Sequence, residues 1–431
     1  MTALQPSRVI DAGSRESSRY EPLSSEHLPD RLGHLVEMIG LIGPADHWRV
    51  REVGDGNLNL VFIVEGPRGS VVVKQALPYA RVVGESWPMS LDRTYFEYHA
   101  LTKLGARDPG RMPKVHYFDR GQAVMVMEHL TPHVILRKDL IAGIELPLLG
   151  EHLGLYLART LFRGSDFSLE TAERKADMAL FAGNVELCGI TEDLFFTDPF
   201  HDNARNRATD GLDVAAIHAD RDLKLAAMEM KFRFCSSLQT LLHGDFHAGS
   251  VMVTPSDTRV IDAEFATYGP MGFDIGSLLA NFWLAFFAQS AHRENPATLR
   301  RYQRWILNAT ADVWAAFTRE FARLWREERT GILGGRELFQ SQGDSVAPEI
   351  ALQARLAEIW QDTLGFAGLE MHRRILGLAH IPEFETIEDP VLRAECERRA
   401  LAMGRQLVVH RLALPSLASA NSVATIIQDC R

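Results

Sequence analysis

One acidic stretch, Leu242-His-Gly-Asp-Phe-His-Ala-Gly-Ser250, is followed by the apolar run Val251-Met-Val253 and, after a turn, by Val260-Ile-Asp-Ala-Glu264. The two β-branched runs with the turn between them predict a β-hairpin. The outgoing strand leaves the loop that carries Asp245, and the returning strand arrives at Asp262. Both carboxylates are therefore expected at the same open end of the hairpin.

The paired acids on the returning strand predict a metal site. Asp262 and Glu264 are two residues apart, so they point to the same side if the backbone stays extended. Two such carboxylates suit a hard cation, and Mg²⁺ bridging nucleotide phosphates is the usual case. Asp245 is then placed to accept a proton from a hydroxyl group. A single acid in a turn would more simply be solvated, but the whole arrangement favours phosphoryl transfer.

The sequence on either side of this stretch predicts the fold class. Short β-branched runs separated by glycine-rich turns fill the first third of the chain, and helical periodicity dominates the rest. We therefore predict an α+β, bilobal molecule with a small antiparallel β-rich N-lobe and a large, mostly helical C-lobe that contains the catalytic β-hairpin. The predicted divisions are a flexible N-terminal tail over 1–30, the N-lobe over 31–128, the C-lobe over 129–414 and a C-terminal tail over 415–431.

The β-rich part carries candidate nucleotide-binding residues. Gly54, Asp55, Gly56 and Asn57 lie between two predicted strands, where backbone N–H groups can approach phosphates, although an ordinary turn is an equally good interpretation. Lys74 ends an apolar strand, and Glu97 lies among the apolar positions of the next helix. A charge on each core-facing element requires a partner, so we predict an ion pair between Lys74 and Glu97, with the lysine directed to phosphate.

Composition narrows the class of partner. The net charge of −10 argues against a nucleic-acid-binding protein and against binding to an anionic membrane surface. The four cysteines are far apart and lack metal-ligand spacing. The first thirty residues have no apolar stretch of the kind found in secretory signals, and no apolar run reaches the ~20 residues needed to cross a bilayer. We expect a cytoplasmic protein.

The motifs resemble those of a known kinase family. The stretch from His243 to Ser250 and the segment Asp262-Ala-Glu-Phe-Ala-Thr-Tyr-Gly-Pro-Met-Gly-Phe-Asp-Ile-Gly276 are similar to 5-methylthioribose kinases. These belong to the aminoglycoside/choline kinase branch of the protein-kinase-like fold. The resemblance extends from about Gly54 to Leu412. It implies ATP and Mg²⁺ as cofactors, and transfer of the ATP γ-phosphate to the 1-hydroxyl of 5-methylthioribose in methionine salvage.

The same resemblance assigns further residues. It implies that Glu128 and Leu130 lie where adenine is bound through backbone groups, and that His243 orients the catalytic loop. Arg373 and Arg374 resemble the arginine pair near the transferred phosphate and the sugar hydroxyls. Neighbours on a helix point about 100° apart, so we expect only one arginine to reach the site directly. Trp87 lies in a long connection that resembles the family's mobile loop, and a homodimer is also implied.

Two alternatives remain open from the sequence. The first is a phosphotransferase for another small alcohol such as choline, homoserine or an aminoglycoside, although the arginine pair would repel a cationic substrate. The second is a catalytically inert kinase-like protein that binds nucleotide. Loss of Lys74, Asp245 or Asp262 would favour the inert protein, and all three are present.

Overall fold

The computed structural model of the chain describes residues 8–10, 20–54, 58–80 and 84–430. By contacts it forms two compact units, Met1–Pro132 with Arg259–Phe265, and His133–Thr258 with Ala266–Arg431. The first unit is β-rich and the second is mostly helical, so the predicted α+β class is confirmed. The short segment 259–265, which carries both predicted metal ligands, belongs to the first unit although it is distant from it in sequence.

A six-stranded sheet forms the first unit, in the order β1-β7-β8-β4-β3-β2. The pairs β2/β3, β3/β4, β4/β8 and β7/β8 are antiparallel, and β1 runs parallel to β7. A separate antiparallel ribbon consists of β5 and β6. The strands are β1 (Arg8–Ile10), β2 (Arg49–Glu52), β3 (Asn59–Gly66), β4 (Gly69–Ala76), β5 (Tyr79–Ala80), β6 (Gly84–Pro88), β7 (Val115–Asp119) and β8 (Val124–Glu128), and the helices are α1 (Leu28–Leu32), α2 (Val36–Ile42) and α3 (Arg93–Arg107).

The core of this unit follows from the two-residue period of its central strands. Phe62 and Val64 on β3 and Val71 and Val73 on β4 alternate toward one face, where they are almost completely buried. Met38 on α2 is also fully buried, in the same cluster. This buried face and pairing with β3 and β8 fix the position of β4 in the sheet, and β4 carries Lys74.

The second unit packs long helices around one apolar helix. Nearly all of α10 is buried because its residues are apolar on every side, as expected of a helix surrounded by others. It contacts α11, α12 and α14, and α11 lies along α5. The helices are α4 (Leu136–Ala142), α5 (Leu149–Arg163), α6 (Thr171–Phe181), α7 (Val185–Leu194), α8 (Val214–Ala219), α9 (Arg221–Ser236), α10 (Gly272–His292), α11 (Pro296–Glu327), α12 (Ala347–Leu376), α13 (Pro382–Glu385), α14 (Pro390–Val409) and α15 (Leu417–Asp429).

Short strands frame the acidic loop. The turn between the two predicted hairpin strands is closed by the Thr254 N–H, which donates to the Asp257 carbonyl at 2.9 Å. The strands here are β9 (Val134–Ile135), β10 (Thr240–Leu241), β11 (Val251–Val253), β12 (Thr258–Val260) and β13 (Tyr268–Gly269). In the second unit, β9 pairs antiparallel with β11, and β10 pairs antiparallel with β13.

Both predicted tails contain ordered, buried structure. Leu23 and Leu28 are buried within the range predicted as an N-terminal tail. The range 415–431 contains α15 instead of a tail, because Ser416 forms a capping box and three residues of the helix are buried. Within the described ranges, no helix is long and apolar enough to cross a membrane.

Candidate active site

In the first unit, Lys74 lies between two carboxylates. Its Nζ is 2.8 Å from Oε1 of Glu97 on α3 and 2.5 Å from Oδ1 of Asp262. Burial acts to lower the pKa of Lys74, but Asp262 and Glu97 outweigh it and raise that pKa above its usual value. The lysine is therefore charged at neutral pH, and the structure brings together the two residues that the sequence predicted as a pair.

Three carboxylates converge beside this lysine. Oxygen atoms of Glu97, Asp262 and Glu264 all lie within 4.8 Å of one another. Burial raises the pKa of Glu97 to about 8 against the opposing effect of Lys74, and burial also raises the pKa of Glu264. Oε2 of Glu97 is buried without a hydrogen-bond partner in the described part of the chain. This oxygen-rich, under-neutralised cluster fits a hard divalent cation, with Asp262 and Glu264 as the predicted ligands.

The two predicted metal ligands converge for a reason other than the predicted one. Asp262 has φ of +69°, so its backbone is left-handed and not extended. Aspartate tolerates this region better than most non-glycine residues. The Asp262 side chain is 47% exposed and that of Glu264 is 5% exposed. The acids therefore differ in environment, and their convergence depends on a turn and not on strand alternation.

Two residues that the sequence interpretation missed hold Glu264. The Asn59 amide donates to both carboxylate oxygens of Glu264, at 3.3 and 3.1 Å. Nε of the buried Arg93 lies 3.6 Å from Oε2 of the same residue. Arg93 is one turn before Phe96 on the core-facing side of α3, so a buried cation could have been expected there. Nothing in the local pattern of the strand identified Asn59.

In the second unit, the acidic loop is held by Asp274. The His243 N–H donates to Asp274 Oδ2 at 2.7 Å, and the Gly244 N–H donates to Oδ1 at 3.1 Å. Gly244 has φ of +86°, a conformation that glycine adopts without strain, and it directs the chain from His243 to Asp245. Asp274 lies in the first turn of α10, whose N-cap is Met271, so its carboxylate serves the loop and does not cap the helix.

Asp245 receives donors on both carboxylate oxygens. Arg373 Nη1 and Arg374 Nη2 each lie 3.2 Å from Oδ1, and His247 Nε2 lies 3.2 Å from Oδ2. Burial acts to raise the pKa of Asp245, but the nearby His247, Arg373 and Arg374 together hold it well below its usual value. Asp245 is therefore an anion throughout the physiological range.

Both arginines reach Asp245, so the prediction that only one does is wrong. Their side chains are long enough to cover the 100° offset between neighbours on α12. Glu370, one turn earlier and fully buried, aligns them: its Oε2 accepts from Arg373 at 3.1 Å and its Oε1 from Arg374 at 2.6 Å. Glu370 and His247 were both missed. His247 lies inside the stretch from Leu242 to Ser250, where a second histidine two residues after Asp245 was a visible signal.

The remaining residues predicted to bind nucleotide or substrate lie on other parts of the chain. Asp55, Gly56 and Asn57 lie outside the described residues, and a Cβ atom added at Gly54 would meet nothing within 4 Å. Glu128 ends β8, and its Oε2 accepts from Arg259 Nη2 at 2.7 Å. Leu130 is buried, and Trp87 lies on β6 in the two-stranded ribbon and not in an irregular loop.

His372, beside the arginine pair, makes stability depend on pH. Burial lowers its pKa from 6.5 to about 4, partly opposed by the hydrogen bond to the Gly368 carbonyl. As pH falls below 6.5, His372 binds a proton in the unfolded chain before it does so in the folded protein. The contribution of the neutral, buried ring to the free energy of unfolding is therefore complete above pH 6.5 and is lost as pH approaches 4. The full loss is about 3 kcal/mol. Chemical unfolding between pH 7.5 and 4.5 should show a smaller loss in His372→Gln, and identical curves would contradict the assignment.

Comparison with known proteins identifies the enzyme class to which the chain belongs. Residues 49–325 match the phosphotransferase enzyme family, so the chain is a phosphotransferase. A methylthioribose kinase of Escherichia coli O45:K1 is 45% identical over 91% of this chain and 94% of its own. Methylthioribose kinase 1 of Oryza sativa is 44% identical over 87% and 88%, and the enzyme of Geobacillus thermodenitrificans is 40% identical over 93% and 95%. The chain belongs to the methylthioribose kinase family.

Proposed function

We propose that this protein transfers the γ-phosphate of ATP to the 1-hydroxyl of 5-methylthioribose, giving 5-methylthioribose 1-phosphate in methionine salvage. The observation that carries the proposal is the contact of both Arg373 and Arg374 with Oδ1 of the Asp245 carboxylate. A carboxylate that can accept a proton, beside two fixed cations, suits a reaction in which a hydroxyl loses its proton while a negatively charged phosphoryl group is transferred to it.

The first unit supplies the nucleotide-binding residues in this proposal. Lys74 binds phosphate oxygens and is oriented by Glu97. Gly54, Asp55, Gly56 and Asn57 bind the phosphates, and backbone groups of Glu128 and Leu130 bind adenine. Asp262 and Glu264 would hold Mg²⁺, which when bound neutralises charge on the phosphates. The crowded carboxylates support this assignment, as does the Glu97 oxygen that has no hydrogen-bond partner among the described residues.

The second unit supplies the acceptor residues. Asp245 accepts a hydrogen bond from the 1-hydroxyl and orients that oxygen for attack on the γ-phosphorus. Because its pKa is far below neutral, Asp245 takes the proton only as the hydroxyl becomes acidic, once its bond to phosphorus is forming. Arg373 and Arg374 stabilise charge on the transferring group, and His243 shapes the loop.

The charge of the site supports a neutral substrate. The charges of Arg373 and Arg374 are already balanced by Asp245 and Glu370, so a quaternary ammonium or a polyamine would find no surplus negative charge there. A cation that leaves water without such a partner loses its hydration at a net cost. Choline and aminoglycosides are therefore poorer candidates than a sugar. We further propose that the enzyme works in the cytoplasm as a homodimer and binds neither nucleic acid nor membranes, consistent with its net charge of −10.

The test is ADP release by the purified protein with Mg·ATP, comparing 5-methylthioribose with ribose, choline, homoserine and an aminoglycoside, with Asp245→Asn as the blank. We expect turnover on 5-methylthioribose alone. Activity on another member of the panel would replace the substrate but keep the reaction class. Bound ATP with no turnover on any acceptor would contradict the proposal.

Replacing a proposed metal ligand should change the cation requirement. In Asp262→Asn we expect the Mg²⁺ concentration for half-maximal ADP release to rise roughly 10–100-fold, because one anionic oxygen ligand becomes neutral. Asp46→Asn, which changes an exposed aspartate of the same unit, is the matched control. An unchanged Mg²⁺ titration in Asp262→Asn would remove Asp262 from the metal site.

A further inference from the structure

The hydrogen bonds to Asp245 leave its two oxygens unequal. A carboxylate oxygen offers two lone-pair directions. In the described part of the chain, Oδ1 has two donors, Arg373 and Arg374, while Oδ2 has one donor, His247. One acceptor direction therefore remains, and it is on Oδ2.

The surroundings of His247 determine which of its ring nitrogens carries the proton. The Gly249 N–H donates to Nδ1 at 2.9 Å, so Nδ1 is the acceptor and Nε2 carries the hydrogen that faces Asp245. Burial lowers the pKa of His247, partly opposed by Asp245, so the ring is neutral at physiological pH. A Cβ atom at residue 249 would lie 2.7 Å from Cε1 of His247, so only glycine leaves room for the ring.

A second layer of contacts holds the ring in place. Arg137 Nη2 lies 3.5 Å from Nδ1 of His247 and donates to Asn281 Oδ1 at 3.1 Å. Arg137 Nη1 lies 2.5 Å from Oε2 of the fully buried Glu383. Because Arg137 is itself fixed by two partners, the imidazole has a rigid neighbour on the side away from Asp245.

We propose that His247 is a positioning residue, which occupies one acceptor direction of Asp245 Oδ2 and so directs the remaining one toward the acceptor hydroxyl. The inference rests on the proposed function. In the step, the hydroxyl oxygen bonds to the γ-phosphorus, and the bond from that phosphorus to the bridging oxygen breaks with its electron pair leaving on ADP. The hydroxyl proton passes to Oδ2 of Asp245 and then to solvent, while His247 keeps its own proton.

Two conservative variants separate this role from a purely structural one. In His247→Asn the side-chain oxygen replaces Nδ1 and still accepts from Gly249, but the side chain is too short to reach Asp245. In His247→Gln the amide nitrogen replaces Nε2 and still donates to Oδ2. We expect kcat of His247→Asn to fall about 10²-fold with KM for ATP and sugar within about threefold, because misplacing a reacting group by about 1 Å has that effect. His247→Gln should recover kcat to within about fivefold of the wild type, a loss well short of that 10²-fold fall.

Normal kcat in His247→Asn, or equal losses in both variants, would overturn the inference. His410→Asn, at an exposed histidine of the same unit, controls for the substitution itself. If the wild type shows no turnover, the proposed function fails, and a thermal double-mutant cycle still tests the contact. His247→Asn should lower Tm by roughly 2–4 °C in the wild-type background and by less in the Asp245→Ala background. Equal decreases in both backgrounds would also overturn the inference.

Discussion

Asp245→Asn is expected to lower kcat about 10²–10⁴-fold, the range associated with loss of a positioned general base. The amide cannot take the hydroxyl proton. It also has only one oxygen to accept from Arg373, Arg374 and His247, whereas the carboxylate has two. ATP binding should change little, because the predicted nucleotide-binding residues belong to the other unit. Initial rates of ADP release and calorimetric ATP binding measure the two effects separately.

The matched control for this variant is Asp210→Asn, which makes the same chemical change at an exposed position of the same unit. It should retain wild-type kcat. Near-normal turnover by Asp245→Asn would remove Asp245 from the reaction. A weakened affinity for ATP that accounts for the whole loss of rate would place Asp245 in nucleotide binding instead.

Lys74→Met is expected to lower kcat/KM for ATP by about 10²–10³-fold, the effect of losing one preorganised charge partner of a transferring phosphoryl group. It should also destabilise the protein by about 3–5 kcal/mol, because the crowded carboxyl groups of Glu97, Asp262 and Glu264 lose the cation that lies beside them. Kinetics at varied ATP and chemical unfolding give the two quantities.

A second substitution separates the two roles of Lys74. Lys74→Met combined with Glu97→Gln also removes the buried carboxyl group of Glu97 from the crowded cluster, so it should recover part of the unfolding free energy and none of the activity. Lys175→Met, at an exposed lysine, is the matched control. Recovery of activity in the double variant would show that Lys74 serves stability and not ATP binding.

Local sequence was a good guide to the β-rich unit. Lys74 and Glu97 were paired correctly because a charge on a core-facing element has few ways to be satisfied. Prediction was poorer at the ends of the chain. The amphipathic pattern of α15 is short, and its burial depends on α14 and α11, which no local pattern identifies.

The candidate site was predicted as a set of residues but not as an arrangement. Sequence placed Asp245, Asp262 and Glu264 in one region because a short turn joins their strands. It could not place Asn59 and Arg93 on Glu264, since those contacts join residues about 170 to 205 positions apart. It also expected an extended backbone at Asp262, where the structure has a left-handed turn.

The chemistry of the protein can be read from its residues and motifs: which acids, which lysine and which arginine pair are present, and the family to which the motifs are similar. How these groups share their charges depends on packing. Packing of α12 brings both Arg373 and Arg374 to one oxygen of Asp245 and leaves the other oxygen to His247. Hydrogen bonds depend on distances of about 3 Å and on direction. Such distances between residues over 120 positions apart arise from the packing of whole helices, which a local motif does not encode.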